Sequence, residues 1–196
     1  MQQLDLINED CSTQRKRIAT TTILTLRDKG IKDITPLLNL PLLQTLDLSH
    51  NKILNADRLF SSLKHLRRVD LSHNQISHVT LIDNHDTLVE LNVDFQKSPL
   101  KFSNFDRLTR LKRLSVKKTG ISTIGDLGAL PQSLSTLDVS WNPIGDVDEL
   151  GSALETLNIN FFATPRLCQN PRVKHYRRIE DVCQARAEKK QTRRNR

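Results

Sequence analysis

Two stretches of eight residues, LDLSHNKI at 46–53 and VDLSHNQI at 69–76, are nearly the same and lie 23 positions apart. Such a period indicates units that can bury their apolar side only against a neighbouring copy. On the frame L-x-x-L-x-L-x-x-N-x-I, four clear and three weaker copies begin at 21, 43, 66, 88, 111, 134 and 154. The sequence therefore predicts a solenoid of about seven repeats over residues 21–167.

Apolar and polar residues alternate in the centre of each copy, which is typical of a strand with one buried face. Copies of the strand are expected to pair in parallel, and at about 4.8 Å per step seven of them span roughly 30 Å. The third, fifth, seventh and eighth frame positions are predicted to point outward. The residues predicted to point inward are Leu46, Leu48, Val69, Leu71, Leu114, Val116, Leu137 and Val139.

The ninth frame position is predicted to turn the chain, because an Asn amide can both donate to and accept from turn backbone. Asn51, Asn74 and Asn142 hold this position. Other residues replace Asn in four copies, and a looser turn is predicted there: Lys29, Gln96, Thr119 and Phe162. In the fourth copy Pro99 removes a backbone donor, and QKSPLKF is predicted to form a bulge or longer loop.

These copies resemble the leucine-rich repeat family. Their period near 22 and the apolar pairs after the ninth position, such as Ile76 with Val79 and Ile121 with Ile124, are similar to the intracellular subclass typified by the protein phosphatase-1 regulatory subunit. The resemblance implies an α/β solenoid with a curved parallel β-sheet on its concave face. Helical or 3₁₀ segments are expected on the convex face, because the wider side of each unit lies there.

Capping segments are expected at both ends, because a repeat stack otherwise exposes apolar edges. Residues 1–20 are predicted to cap the first repeat, and residues 168–187 to form a C-terminal helical cap. Within the latter, NPRVKHYRRIEDV resembles the C-terminal cap of the intracellular subclass, and KHYR resembles the cap of the spliceosomal leucine-rich-repeat subunit. Residues 188–196, EKKQTRRNR, are predicted to be a basic, disordered tail.

The net charge of +8 is concentrated at the C-terminal end, since residues 166–196 hold 11 Lys or Arg and three acids. No secretory signal or membrane-spanning run is apparent. Three cysteines without a C-x-x-C pair fit a reducing compartment. An intracellular location, cytoplasmic or nuclear, is therefore expected.

No motif for nucleotide, metal or nucleophilic chemistry is present, so neither catalysis nor a cofactor is expected. His50 and His73 occupy the same place in adjacent copies, close to Asp47 and Asp70. They could form a metal or acid/base site. The alternative is that Ser-His-Asn is a polar turn that recurs because the unit recurs.

A partner-binding concave face is therefore the main functional prediction. Exposed aromatic and arginine side chains most often dominate interfaces. The candidate contact residues are Arg68, Phe95, Arg113, Lys117, Trp141 and Phe161. Alternatives for two of them are that Trp141 packs on Pro143 and the loop of the next repeat, and that the cap covers Phe161. A basic patch in the fifth repeat is either a solvated face or a dock for an acidic helix: Arg110, Lys112, Arg113, Lys117 and Lys118.

Two functions remain open at this point. In the first, the chain is a scaffold, regulatory or assembly subunit that holds a partner protein. In the second, it is a component of a ribonucleoprotein whose tail contacts RNA. The tail could instead be a localisation signal or an anchor on anionic lipid. The tail residues proposed to contact nucleic acid are Lys189, Lys190, Arg193, Arg194 and Arg196.

Overall fold

The computed structural model describes residues 19–81, 85–97 and 99–144 in full, and the backbone of residues 156–158. Seven three-residue strands are β1 (Ile23–Thr25), β2 (Thr45–Asp47), β3 (Arg68–Asp70), β5 (Glu90–Asn92), β7 (Arg113–Ser115), β8 (Thr136–Asp138) and β9 (Thr156–Asn158). They form one parallel sheet in the order β1-β2-β3-β5-β7-β8-β9. Each strand holds positions three to five of one copy, so the predicted in-phase ladder is confirmed.

The register of the sheet follows the repeat frame without a slip. Leu46 pairs with Val69, Val69 with Leu91, and Leu91 with Leu114. This matters because a one-residue slip would move every side chain to the opposite face. All eight residues predicted to point inward are buried in one aliphatic core that runs along the stack.

The return segments are short and mostly helical. They comprise a 3₁₀ helix at Thr35–Asn39, an α-helix at Asp57–Ser62, and 3₁₀ helices at Phe105–Arg107 and Ile124–Leu127. Each presents apolar side chains to the core, for example Leu59 and Phe105. The last of them begins with a capping box, in which Thr123 and Asp126 satisfy each other's backbone N–H groups.

The fourth repeat is one residue longer than the third between its strand in the main sheet and its return strand, which agrees with the longer loop predicted there. Strand β4 (His78–Thr80) pairs in parallel with β6 (Lys101–Ser103), so Val79 lies beside Phe102. Gln96 completes the preceding turn, and a buried aromatic residue takes the place of an aliphatic one. Pro99 sits against the next turn, where a Cβ on Gly120 would approach the Pro99 Cα to 3.1 Å. Phe102 follows the turn residue Gln96 by six positions, whereas Val79 follows Asn74 by five, so the extra residue lies in the segment that contains Pro99.

Side chains of strands β2, β3, β5, β7 and β8 together line a single open groove. A groove shared by successive strands places the sheet on the concave side of the arc, as predicted. The helical segments and the β4–β6 pair lie behind it. The face that lines the groove is therefore the surface on which a functional site must first be sought.

Candidate functional site

A ladder of buried amides holds successive repeats together beneath the turns. Asn74 illustrates the arrangement, because its Oδ1 accepts from the backbone N–H of Ile53 at 3.0 Å. Its Nδ2 donates to the carbonyls of Leu48 at 3.0 Å and Leu71 at 2.9 Å. Asn51 and Asn142 make equivalent bonds to their own neighbours. Each amide thus satisfies backbone groups of two repeats.

Gln96 makes the same hydrogen bonds as the asparagines of the other repeats, so the prediction of a looser turn at Gln96 is wrong. Its Oε1 accepts from Ile76 N–H at 3.0 Å, and its Nε2 donates to the Leu71 carbonyl at 3.0 Å. The extra methylene is accommodated without loss of either bond. Thr119 is a partial substitute. Its hydroxyl donates to the Val116 carbonyl at 2.8 Å and more weakly to the Asn142 Oδ1 at 3.4 Å, and the same Oδ1 accepts from the Thr119 N–H. Phe162 lies outside the described residues.

In four repeats the seventh residue is buried and does not point outward as predicted: Ser49, Ser72, Asp94 and Ser140. Arg27 is exposed as predicted, and Lys117 is partly buried. In the four repeats the chain has already begun to turn at this position, because the fifth residue's side chain accepts from the seventh residue's N–H. Asp47 accepts in this way from Ser49 at 2.9 Å, and Asp138 from Ser140 at 3.0 Å. There the outward surface consists of the third, fifth and eighth positions.

In the fifth repeat the fifth residue is Ser115, and its side chain does not accept from the N–H of the seventh residue, Lys117. Asp94 of the preceding repeat accepts that hydrogen bond instead. The Asp94 Oδ1 accepts from the Ser115 hydroxyl and from the Lys117 N–H, both at 2.7 Å. Burial raises the pKa of the Asp94 carboxyl, although these hydrogen bonds and Lys117 oppose the rise. The Lys117 ammonium lies 3.9 Å from Asp94 and 3.2 Å from Asp138. Lys117 is therefore committed to carboxylates of its own chain.

The two arginines among the candidate contacts share one carboxylate. The Arg68 Nε lies 3.2 Å from the Glu90 Oε1, and Arg113 forms a second ion pair with the same oxygen. Both arginines are exposed, so solvent weakens the pairs. Their charges nevertheless face Glu90. Within the predicted basic patch of the fifth repeat, Arg113 thus pairs with Glu90, whereas Lys117 pairs with Asp94 and Asp138.

We call the third and fifth positions of the repeats the floor. In the six repeats whose side chains are described, the floor holds two arginines and four acids: Asp47, Asp70, Glu90 and Asp138. Asp47 and Asp70 are directly opposite each other in the sheet register. Neither forms an ion pair within the described part of the chain. The floor is therefore acidic in its N-terminal half and internally balanced toward β7 and β8.

We call the eighth-position residues the ridge. Its members are Asp28, His50, His73, Phe95, Lys118 and Trp141, and all six have φ between 49° and 62°. This left-handed conformation is uncommon for bulky residues. A backbone hydrogen bond to the next repeat offsets the cost of this conformation. The His50 N–H donates to the Ser72 carbonyl at 2.9 Å, and the Phe95 N–H donates to the Lys117 carbonyl at 2.7 Å.

Planar side chains stack along the middle of the ridge. The His50 and His73 ring centroids are 4.0 Å apart, and His73 and Phe95 are 4.5 Å apart, with nearly parallel planes in both pairs. The Lys118 ammonium lies 5.8 Å from the Phe95 centroid, within range of a cation–π contact. Trp141 is the next ridge residue after Lys118 and is 54% exposed.

The histidine pair fits the recurring-turn alternative better than a metal site. Burial, followed by the charges of His50 and Arg27, lowers the pKa of His73. The stacked rings direct their faces at each other and not their nitrogens at a common point. Among the described residues, no group of three or more His, Cys, Asp or Glu side chains could hold a metal ion.

The structure thus divides the predicted contact residues between two surfaces. Arg68 and Arg113 lie on the floor, Lys117 lies between the surfaces, and Phe95 and Trp141 lie on the ridge. Phe161 and the five basic tail residues lie outside the described residues. Sequence reasoning did not single out Asp47 and Asp70 as floor residues without counter-charges. The recurring D-x-S-H spacing could have indicated them.

Comparisons with known proteins agree with this architecture. A leucine rich repeat model matches residues 20–76, and a second leucine rich repeat model matches residues 130–148. No curated protein sequence matches the chain. Over the described residues, no helix has both the length and the apolar character that a membrane crossing requires.

Two solved structures are similar in fold. The internalin InlF from Listeria monocytogenes superposes with a TM-score of 0.56 at 18% identity, over 76% of this chain and 50% of that one. Internalin C2 from the same organism has a TM-score of 0.49 at 18% identity, over 74% of this chain and 84% of that one. The chain therefore spans half the length of InlF. At this identity the likeness concerns fold alone, and the chain carries leucine-rich repeats arranged in the leucine-rich repeat solenoid fold.

Proposed function

We propose that the chain is a non-catalytic protein-interaction module that binds a partner protein on its concave face. Leucine-rich repeat proteins generally act as interaction scaffolds, and solenoids of this kind use extended concave surfaces for binding. The observation that carries the proposal is the uncovered floor, where polar and charged side chains of five strands line one groove. Asp47 and Asp70 supply unneutralised charge at the centre of the groove's N-terminal half.

Membership of the intracellular subclass is part of the same proposal. It is supported by the 22- or 23-residue spacing of the first six copies and by the apolar pairs that follow the turns. An intracellular location and a role as an assembly or regulatory subunit agree with that subclass. Three cysteines without a C-x-x-C pair are consistent with it as well.

The proposal can be tested by photo-cross-linking from defined positions. A benzophenone amino acid at Thr45 or Thr136 places a reactive group on the floor, at partly exposed strand residues. The same amino acid at Lys101, on β6 behind the sheet, is the control. In cell extract, floor positions should give a discrete protein adduct that Lys101 does not give. Adducts from Lys101 alone, or equal adducts from all three positions, would contradict binding at the floor.

RNA contact by Lys189, Lys190, Arg193, Arg194 and Arg196 remains a second prediction, which rests on the charge of the tail. Phosphate contacts of this kind weaken steeply with salt. Deleting residues 186–196 should abolish salt-sensitive binding of single-stranded RNA. Equal RNA affinity with and without the tail would rule it out, and would leave the floor proposal unaffected.

A further inference from the structure

The ridge and its surroundings have the opposite charge to the floor. At frame positions seven to ten of the six repeats whose side chains are described, the exposed basic residues are Arg27, Lys29, Lys52, Lys97 and Lys118. The exposed acid at these positions is Asp28, since Asp94 is buried. None of the five bases forms an ion pair with another described residue. An edge of the arc therefore carries cations that no described residue neutralises.

The stacked rings add to this positive character. His73 has His50 on one face and Phe95 on the other, so its ring meets solvent through its edge. Lys118 lies over the remaining face of Phe95. Aromatic rings are negative on their faces and positive at their edges. The ridge thus presents ring edges, imidazole N–H donors and ammonium groups on the same side.

We propose that the ridge binds an acidic segment of a protein partner, in which Asp or Glu carboxylates meet Lys97, Lys118 and the ring edges while an apolar side chain covers Trp141. This deepens the proposed function, on which it rests, by assigning the partner's chemistry at a second surface. Charge complementarity supports an acidic polypeptide. The exposed Trp141, in line with the stack, supplies the apolar anchor that interfaces commonly use.

A polypeptide fits the ridge better than a nucleic acid. Single-stranded nucleic acids bind by stacking bases on free aromatic faces. Here the faces of His73 are occupied by neighbouring rings, and those of Phe95 by His73 and Lys118. Carboxylates need no free face, because they are recognised by charge and by donors at the ring edges. Nucleic acid is therefore an outcome that the test must be able to reveal.

The test uses the full chain and its single tryptophan, Trp141. Tryptophan emission is followed while an acetylated decaglutamate peptide, a decalysine peptide or decauridine RNA is added. The ridge variant is Lys97→Glu with Lys118→Glu. The control, Arg58→Glu with Lys101→Glu, makes the same charge change at exposed positions outside the ridge and outside the basic patch of the fifth repeat. Amide NMR shifts of His73 and Phe95 provide a second readout.

Decaglutamate should bind the wild type and the control with Kd values within about twofold of each other, and the ridge variant about tenfold more weakly. Shifts at His73 and Phe95 should accompany binding. Equal weakening in both variants, no binding at all, or tighter binding of decauridine that only the ridge variant loses would each overturn the proposal. Floor adducts from Thr45 that persist in the ridge variant would show that the failure concerns the ridge alone.

Discussion

In each repeat the ridge residue follows the fifth-position floor residue by only three positions. The two surfaces nevertheless differ in backbone conformation, in charge and in the interactions that hold their side chains. Floor residues have extended backbone, and their charges interact across strands, as Arg68 and Arg113 do with Glu90. Ridge residues have left-handed backbone and stacked side chains. One repeated motif therefore produces an acidic surface and a basic one side by side.

The contrast shows where the fold tolerates change. Floor side chains at the third position contribute little to stability, because exposed ion pairs are weak. The ridge lies above the buried amides of Asn51, Asn74, Gln96 and Asn142, which satisfy backbone groups that would otherwise lack a hydrogen-bond partner. Surface chemistry can consequently vary at the third position of the floor, whereas the turn beneath the ridge is fixed by hydrogen bonding.

The largest effect is expected from Asn74→Ala, beneath the ridge. It leaves the Ile53 N–H and the carbonyls of Leu48 and Leu71 buried without this partner, so the free energy of unfolding should fall by about 3 kcal/mol. Urea denaturation measures the change. Gln75→Ala, at the next and partly exposed position, should cost less than about 0.5 kcal/mol. Similar losses in the two variants would refute the role of the amide ladder.

A glycine placed in each region should have opposite effects. Thr136→Gly on the floor weakens a strand and should destabilise by about 1 kcal/mol. Lys118→Gly on the ridge relieves left-handed strain, and we expect a gain of about 0.5 kcal/mol after the greater entropy of the unfolded chain is included. Thermal unfolding of both variants checks this. Equal destabilisation would show that the ridge backbone carries no strain.

Acidification should lower the free energy of unfolding through protonation of His73 on the ridge. Its pKa lies below the ordinary value because of burial and then the charges of His50 and Arg27. The unfolded chain therefore takes up the proton first, and the stability present above about pH 6.5 should decline below it. NMR titration of the His73 ring should show a lowered pKa that rises in Arg27→Gln. His65→Gln, an exposed histidine outside the ridge, should leave it unchanged.

The smallest effect is expected on the floor from Arg68→Gln. Glu90 keeps its pair with Arg113, and an exposed ion pair contributes roughly 0.5 kcal/mol or less. Chemical denaturation should therefore barely distinguish this variant from the wild type. A loss above about 1 kcal/mol would mean that the floor charges form a cooperative network.

The strand ladder was predictable because two independent periods coincide in the sequence. The two-residue alternation of apolar and polar side chains determined which residues of each strand are buried, and the repeat period determined which strands pair. The seventh position was misassigned in four repeats because strict alternation stops where the side chain of the fifth residue accepts a hydrogen bond from the N–H of the seventh. That turn depends on Asp47, Asp70, Asn92 and Asp138, which were treated only as surface residues.

The surfaces were harder to predict than the core, for a physical reason. Burial is set by local pattern, but the electrostatics of a surface depends on which charges become neighbours. The Arg113 and Lys117 side chains were predicted to contact a partner, and in the fold they form ion pairs with Glu90 and Asp138. Phe95 and Trp141 kept their predicted exposure at one margin, since a left-handed turn directs each eighth residue away from the core.

The most direct test of the central claim, that one arc carries two separable protein-binding surfaces, is quantitative affinity purification with mass spectrometry. Wild type would be compared with a floor variant, Asp47→Lys with Asp70→Lys, the ridge variant Lys97→Glu with Lys118→Glu, and Lys101→Glu as control. Circular dichroism would confirm that each is folded. We predict that the control recovers the wild-type partners while the floor and ridge variants each lose a binding contribution. Unchanged recovery of every partner with all variants would contradict the account.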